Sequence, residues 1–203
     1  GVHAARAGML DMGFEKDIRT ICLKLPEHQT LLFTAAWPKA VQKVSADLLK
    51  PAKVMVTVGV GGEKLTANKA FTQHVQVVEG KTKWSAFESL LEPYKVGGVD
   101  AGKRVLVFCN TKHDVNWIGQ HCWELFGDCV DTISGDRNRR ERESVIRRFR
   151  EGSVTIVIAT EVAARGLDIN CIEAVMDHDF PGPDDYIHRI GRTGRSGTTG
   201  DAH

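Results

Sequence analysis

Short apolar, β-branched segments recur through the later part of this chain, at residues 74–79, 104–109, 129–133, 154–159 and 172–177. Helix-length stretches with apolar residues at helical spacing fall between most of them, at 82–94, 112–126 and 139–151. Strands this short and this continuously apolar are of the type buried on both faces. Alternation with helices then predicts a parallel sheet with helices on both sides, an α/β fold. Residues 97–102, with three glycines and no helical pattern, interrupt the alternation as a surface loop.

An earlier block reads similarly. Phe14, Ile18, Ile21, Cys22 and Leu25 share one face of a helix expected over 11–25. Residues 29–35 form an apolar strand, Pro38 stands where a helix running to about residue 49 begins, and 53–58 reads as a further β-branched strand. Residues 59–68 carry three glycines and few apolar side chains, as a linker between the two blocks would. The chain thus holds a smaller first piece and a larger second domain.

Composition excludes several classes. At 42% hydrophobic and 26% charged the chain is ordinary for a globular protein. Its longest apolar run, Val154 to Ala159 with Thr155 inside it, is far too short for a membrane span, and residues 1–8 lack an apolar signal core. The five cysteines never show a C-x-x-C spacing, which predicts reduced thiols and an intracellular protein, nuclear or cytoplasmic, that is not secreted. A net charge of +1 gives no general affinity for nucleic acid, so any such binding must come from local patches.

Two patches stand out. Between Arg137 and Arg150 lie seven arginines against two glutamates, with Val145, Ile146 and Phe149 at helical spacing and Arg142 on the same face. This is an amphipathic helix with a basic outer surface, which serves either as a solvated face or as an anion-binding one. The second patch runs from His188 to Arg195. Three arginines are interleaved there with Gly191, Thr193 and Gly194, just after a short helical segment. Glycine permits close backbone approach, and guanidinium forks match phosphate oxygens. A polyphosphate clamp and a plain basic loop both fit that composition.

In parallel α/β sheets ligands bind outside the carboxyl ends of the strands. That rule selects Asn110, Thr111 and Lys112; Ser134, Gly135 and Asp136; Thr160 and Glu161; and His178, Asp179 and Phe180. Each threonine alone is as well read as a helix cap. Four such loops on one edge, with a basic helix beside one of them, favour a polyanion groove. Two glycine–lysine sequences, at 59–64 and 80–82, are not a phosphate-binding P-loop: the position five before Gly80-Lys81-Thr82 is Val75, not glycine.

These residues resemble, in order and spacing, motifs of the DEAD-box RNA helicases. Val105 to Lys112, Ser134-Gly135-Asp136, Ile158 to Ile169 and His188 to Arg195 are similar to motifs IV, IVa, V and VI. Leu10 to Phe14 and Leu32 to Lys39 resemble the end of that family's first RecA-like domain. The resemblance implies a RecA-like domain over 71–203, a linker over 59–70 and a piece of the first, ATP-binding domain over 9–58. It implies RNA backbone contacts from Asn110, Thr111, Gly135, Asp136, Arg142 and Thr160. Arg192 and Arg195 would be arginine fingers toward the γ-phosphate of ATP, with Gly166 and Asp168 near the nucleotide. Thr34 and His188 would couple the two domains. ATP and Mg2+ are the implied cofactors, held mostly by the first domain.

The departures are specific. Thr34-Ala35-Ala36 stands where the family has Ser-Ala-Thr, Arg139 where glutamine is usual, and Ser134 where histidine is common. The Asp-Glu-Ala-Asp-Arg box would occupy residues 4–8, and Ala4-Ala5-Arg6-Ala7-Gly8 contains no carboxylate. Residues 1–8 are therefore expected to be added sequence. The expected function is a helicase fragment that binds single-stranded RNA but does not hydrolyse ATP alone. The alternatives are a non-catalytic RNA-binding module and a DNA translocase of the same superfamily. Residues 9–58, lacking most of a sheet, are expected to be loose or to pair with a second molecule, including a non-native dimer.

Overall fold

The computed structural model describes residues 2–6, 13–34, 37, 39–57, 71–164, 171–194 and 199–203. The chain divides into two compact units, residues 1–66 and 67–203. The first unit contains β1 (Val2–Arg6), α1 (Glu15–Lys24), β2 (Gln29–Phe33) and α2 (Lys39–Leu48). β1 and β2 pair in parallel, from Val2 opposite Gln29 to Arg6 opposite Phe33. The segment expected to be added sequence thus supplies the strand beside β2. α1 buries Ile18, and α2 buries Val41 and Val44, one helical step apart. Arg19 of α1 bridges Glu15 at 2.9 Å and Asp47 of α2 at 2.7 Å. These groups are partly exposed, so the bridge contributes little to stability.

The expected strand at 53–58 does not form over its described part, 53–57, where Val54, Met55 and Val56 are largely exposed. β-branched composition favours a strand only where a neighbouring strand supplies the ladder. The expected linker at 59–68 lies outside the described residues.

The second unit is built on six strands: β3 (Phe71–Gln73), β4 (Val105–Cys109), β5 (Val130–Ile133), β6 (Ile156–Thr160), β7 (Ala174–Asp177) and β8 (Gly200–Ala202). They form one sheet in the order β3-β8-β7-β4-β6-β5, and every pairing is parallel. The helices are α3 (Lys83–Leu91), α4 (Lys112–Phe126), α5 (Arg139–Glu151), the short α6 (Glu161–Ala164) and α7 (Pro183–Ile190). This is the parallel α/β sheet that the sequence predicts, and it fits the RecA-like domain that the resemblance implies.

The central strand shows why. All five residues of β4 are buried, and they alternate between two cores. Val105, Val107 and Cys109 pack with Phe87, Leu91, Ile118 and Cys122 of α3 and α4. Leu106 and Phe108 pack with Val145, Ile146 and Phe149 of α5. A strand buried on both faces has no polar position to spare, which produces its unbroken apolar sequence.

One strand boundary differs from the expectation. The strand predicted at 74–79 is found at Phe71–Gln73, and 74–79 is irregular. The last ladder bond runs from the His74 amide to the Ala202 carbonyl at 2.7 Å, where β8 ends. Beyond it the alternating valines have no partner strand, and Val77 is fully exposed.

Candidate functional site

All strands of the sheet point the same way, so their carboxyl ends share one edge. After β4, Asn110 and Thr111 lead into α4. Thr111 caps that helix: its hydroxyl oxygen accepts from the Asp114 amide at 3.1 Å. After β5, Ser134 is buried while Gly135 and Asp136 are exposed, and nothing lies within 4 Å of where a side chain on Gly135 would begin. Lys112 donates to Asp136 at 3.0 Å and so ties the β4 and β5 loops together. Thr160 closes β6 directly opposite Cys109.

The basic helix α5 begins on a capping box. Asn138 accepts from the Glu141 amide at 3.0 Å, and Glu141 accepts from the Asn138 amide at 2.7 Å. Two helix-end donors are satisfied at once. The helix ends at Gly152, with left-handed backbone at φ 83°. Part of its charge is neutralised: Arg139 pairs with Glu143, while Arg137 and Arg148 converge on Asp131. Arg142 is half-buried on the inward side, as its spacing with Val145 and Phe149 predicts. Its Nε is buried without a hydrogen-bond acceptor. A buried guanidinium donor lacking a protein partner is costly unless a ligand completes it.

The centre of the edge is a residue that the sequence reading passed over. Arg189, on α7, is only 3% exposed. Its guanidinium donates to Asp177 at 2.8 Å, to the Asp179 carbonyl at 3.3 Å and to the Asn110 side chain at 2.9 Å. Nε stands 3.4 Å from a Glu161 carboxylate oxygen, and the group lies over the Phe108 ring, 5.2 Å from its centroid. One arginine thereby gathers the ends of β4, β6 and β7. Two buried carboxylates share this one guanidinium. Burial, partly offset by Arg189 and reinforced by the charge of Glu161, pushes the Asp177 carboxyl up to about 6. Burial alone would also raise Asp179, but its hydrogen bonds with Lys83 and His178 hold it below its ordinary value.

The arginine loop follows directly. His188 sits half-buried in the last turn of α7. The Arg192 amide donates to the Arg189 carbonyl at 3.0 Å, so the turn is built on the helix end. The Thr193 hydroxyl, buried, lies 2.9 Å and 3.0 Å from the carbonyls of Ile172 and Glu173, just before β7. Gly194 takes a left-handed φ of 62°, the conformation expected of a glycine in this loop. Gly200 admits the loop, because a side chain there would run into Thr193 and the Gly194 amide.

The edge therefore brings together Asn110, Thr111, Gly135, Asp136 and Thr160 at its strand ends. Arg142 follows on the helix that leads from the β5 loop. Gly166, Asp168 and Arg195 lie outside the described residues. Thr34, exposed after β2, belongs to the other unit. Among the described residues no group of three or more His, Cys, Asp or Glu is arranged to hold a metal ion. No helix among them is long and apolar enough to cross a membrane. The missed members were Arg189 and Asp177, while Glu161 was selected by its place after β6. Carboxylates at two strand ends, with an arginine three positions before Arg192, were the available signal.

Comparison with known proteins agrees with this architecture. The helicase conserved C-terminal domain matches residues 82–197. The DEAD-box ATP-dependent RNA helicase 14 of Arabidopsis thaliana is 44% identical over 197 residues, covering 96% of this chain and 30% of that protein. The chain spans about a third or less of the length of the relatives it matches. The structure of S. cerevisiae Dbp5 bound to RNA and ADP BeF3 is 28% identical, with a TM-score of 0.77 over 99% of this chain and 52% of that one. Mss116p bound to ssRNA and AMP-PNP shares the fold at 24% identity, with a TM-score of 0.84 over 99% of this chain and 42% of that one. From the all-parallel sheet, the strand-end loops and this match, the chain belongs to the helicase conserved C-terminal domain family, and the relatives it resembles are named DEAD-box RNA helicases.

Proposed function

We propose that this chain is the C-terminal RecA-like lobe of an ATP-dependent RNA helicase, with the end of the first lobe attached. It holds single-stranded RNA by its backbone along the strand-end edge. Asn110, Thr111, Gly135, Asp136, Arg142 and Thr160 supply the contacts, and Arg192 and Arg195 extend toward ATP bound by a first lobe. The observation that carries the reading is the buried, acceptor-less Nε of Arg142 beside an open glycine loop and a helix start, a pairing that suits a phosphate oxygen. The relatives' names, which describe ATP-dependent RNA helicases, support the same assignment.

Charge spreads over the equatorial oxygens during phosphoryl transfer, and guanidinium groups aimed there stabilise it without covalent chemistry. This chain can supply such groups. It contains neither a P-loop nor the carboxylate box, so nucleotide and magnesium would be held by the first lobe. The chain alone is therefore expected to bind RNA and to leave ATP intact. Fluorescence anisotropy with a labelled single-stranded RNA, run beside a phosphate-release assay, tests both halves. RNA-stimulated ATP turnover by the pure chain overturns the second half.

Two other readings separate in the same experiment. RNA binding indifferent to Arg192→Ala, with no turnover regained on adding a first lobe, identifies a passive RNA-binding module. Equal affinity for DNA of the same sequence points to a DNA translocase, because 2′-hydroxyl contacts distinguish the two strands.

A further inference from the structure

We infer that Arg189 is a positioning residue that couples the RNA-facing strand ends to the turn carrying Arg192; the inference rests on the RNA reading above for its first half only. The geometry has two parts. On one side, a single buried guanidinium holds Asn110 after β4, Glu161 after β6, and Asp177 with the Asp179 carbonyl at β7. Those are the loops from which Asn110, Thr111 and Thr160 face a bound strand. On the other side, Arg189 lies three residues before Arg192, and its own carbonyl accepts the Arg192 amide. Any shift of the strand-end loops is therefore felt at the last turn of α7.

The far end of the turn is pinned independently. Thr193 is held at the carbonyls preceding β7, and Gly200 leaves no room for the turn to slide. A short segment fixed at both ends has few ways to respond, so movement at Arg189 is converted into rotation of the turn between. Only arginine can make this joint. Its planar fork reaches an amide oxygen, two carboxylates and a carbonyl at fixed angles while its face rests on Phe108. Lysine keeps the charge but offers one nitrogen on a flexible stem.

The test uses the 203-residue chain and amide hydrogen exchange read with and without a single-stranded oligouridylate. In the unaltered chain, adding the RNA is expected to slow exchange at residues 191–194 about 10-fold, although these lie on the turn rather than on the RNA edge. In Arg189→Lys that protection is expected to vanish, and exchange at 110–112 and 161–164 to rise about 10-fold without RNA. Phe149→Leu, a core variant, controls for general loss of stability and is expected to keep the protection. Asn110→Ala removes one arm and leaves Arg189 in place. It is expected to speed exchange at 191–194 about 3-fold, and it serves should Arg189→Lys fail to fold.

Unchanged exchange at 191–194 in both variants overturns the inference, as does equal loss of protection in the core control. If the unaltered chain binds no RNA, the functional reading fails. The joint itself then stands or falls on the RNA-free exchange at 110–112, 161–164 and 191–194.

Discussion

Arg189 donates a hydrogen bond to Asp177 at 2.8 Å inside the protein, with both side chains almost wholly buried. Glu161 stands on the same guanidinium, so the cluster carries more negative than positive charge. Burial and that surplus raise the Asp177 carboxyl from 3.8 to about 6.

The consequence is a stability that depends on pH. Between about pH 4 and 6 the folded protein holds a proton at Asp177 that the unfolded chain releases. Stability attributable to this group therefore grows as pH falls from about 6 to about 4, and is flat above. The full effect is at most on the order of 3 kcal/mol. Melting temperatures of the unaltered chain and of Asp177→Asn, compared across that window, isolate it. The unaltered chain should lose stability relative to Asp177→Asn as pH rises through that window, and a constant difference argues against a raised carboxyl.

The start of α5 is held by reciprocal hydrogen bonds between Asn138 and Glu141. Asn138→Ala leaves two helix-end donors without their partner arrangement and should cost about 1–2 kcal/mol in urea unfolding. Asn138→Asp, which keeps an acceptor, should cost far less.

Phe149 is fully buried on α5 between Leu106 and Phe108 of β4 and the neighbouring strands. Truncation to alanine should destabilise the larger unit by about 3–5 kcal/mol. Differential scanning calorimetry reads it directly.

RNA held by phosphate contacts must weaken with salt. For single strands, log affinity falls against log salt with a slope of about 0.7 per neutralised phosphate. Arg142→Ala should reduce affinity about 10-fold and lower the slope by about 0.7. Lys112, engaged with Asp136 at 3.0 Å, is partly neutralised already, so Lys112→Ala should change the slope less. Titrations at several salt concentrations separate the two.

Helices α4 and α5 fall where the apolar spacing places them, because an amphipathic stripe this regular has one way to bury itself. The parallel sheet was legible for the same reason: β4, and β6 up to its terminal Thr160, are apolar without interruption, as strands covered on both faces must be. Residues 74–79 and 53–57 were misread because β-branched composition measures fitness for a ladder, and the ladder partner is a distant segment. The Arg142 face was legible from helical spacing. The Thr111 side chain had two local readings, and the fold shows the cap, with its oxygen on the Asp114 amide, at the same strand end that the RNA reading uses.

Sequence alone determined the class of sheet, the order of its helices and the loops at its carboxyl edge, since those depend on local periodicity and on a general property of parallel strands. Only the tertiary structure decided that Arg189 is the joint of that edge. Its partners are Asn110, 79 residues away, together with Glu161 and Asp177. An arginine's sequence carries no mark of whether water or carboxylates surround it. Burial makes the difference, because a charge removed from water must find its opposite wherever the fold brings one.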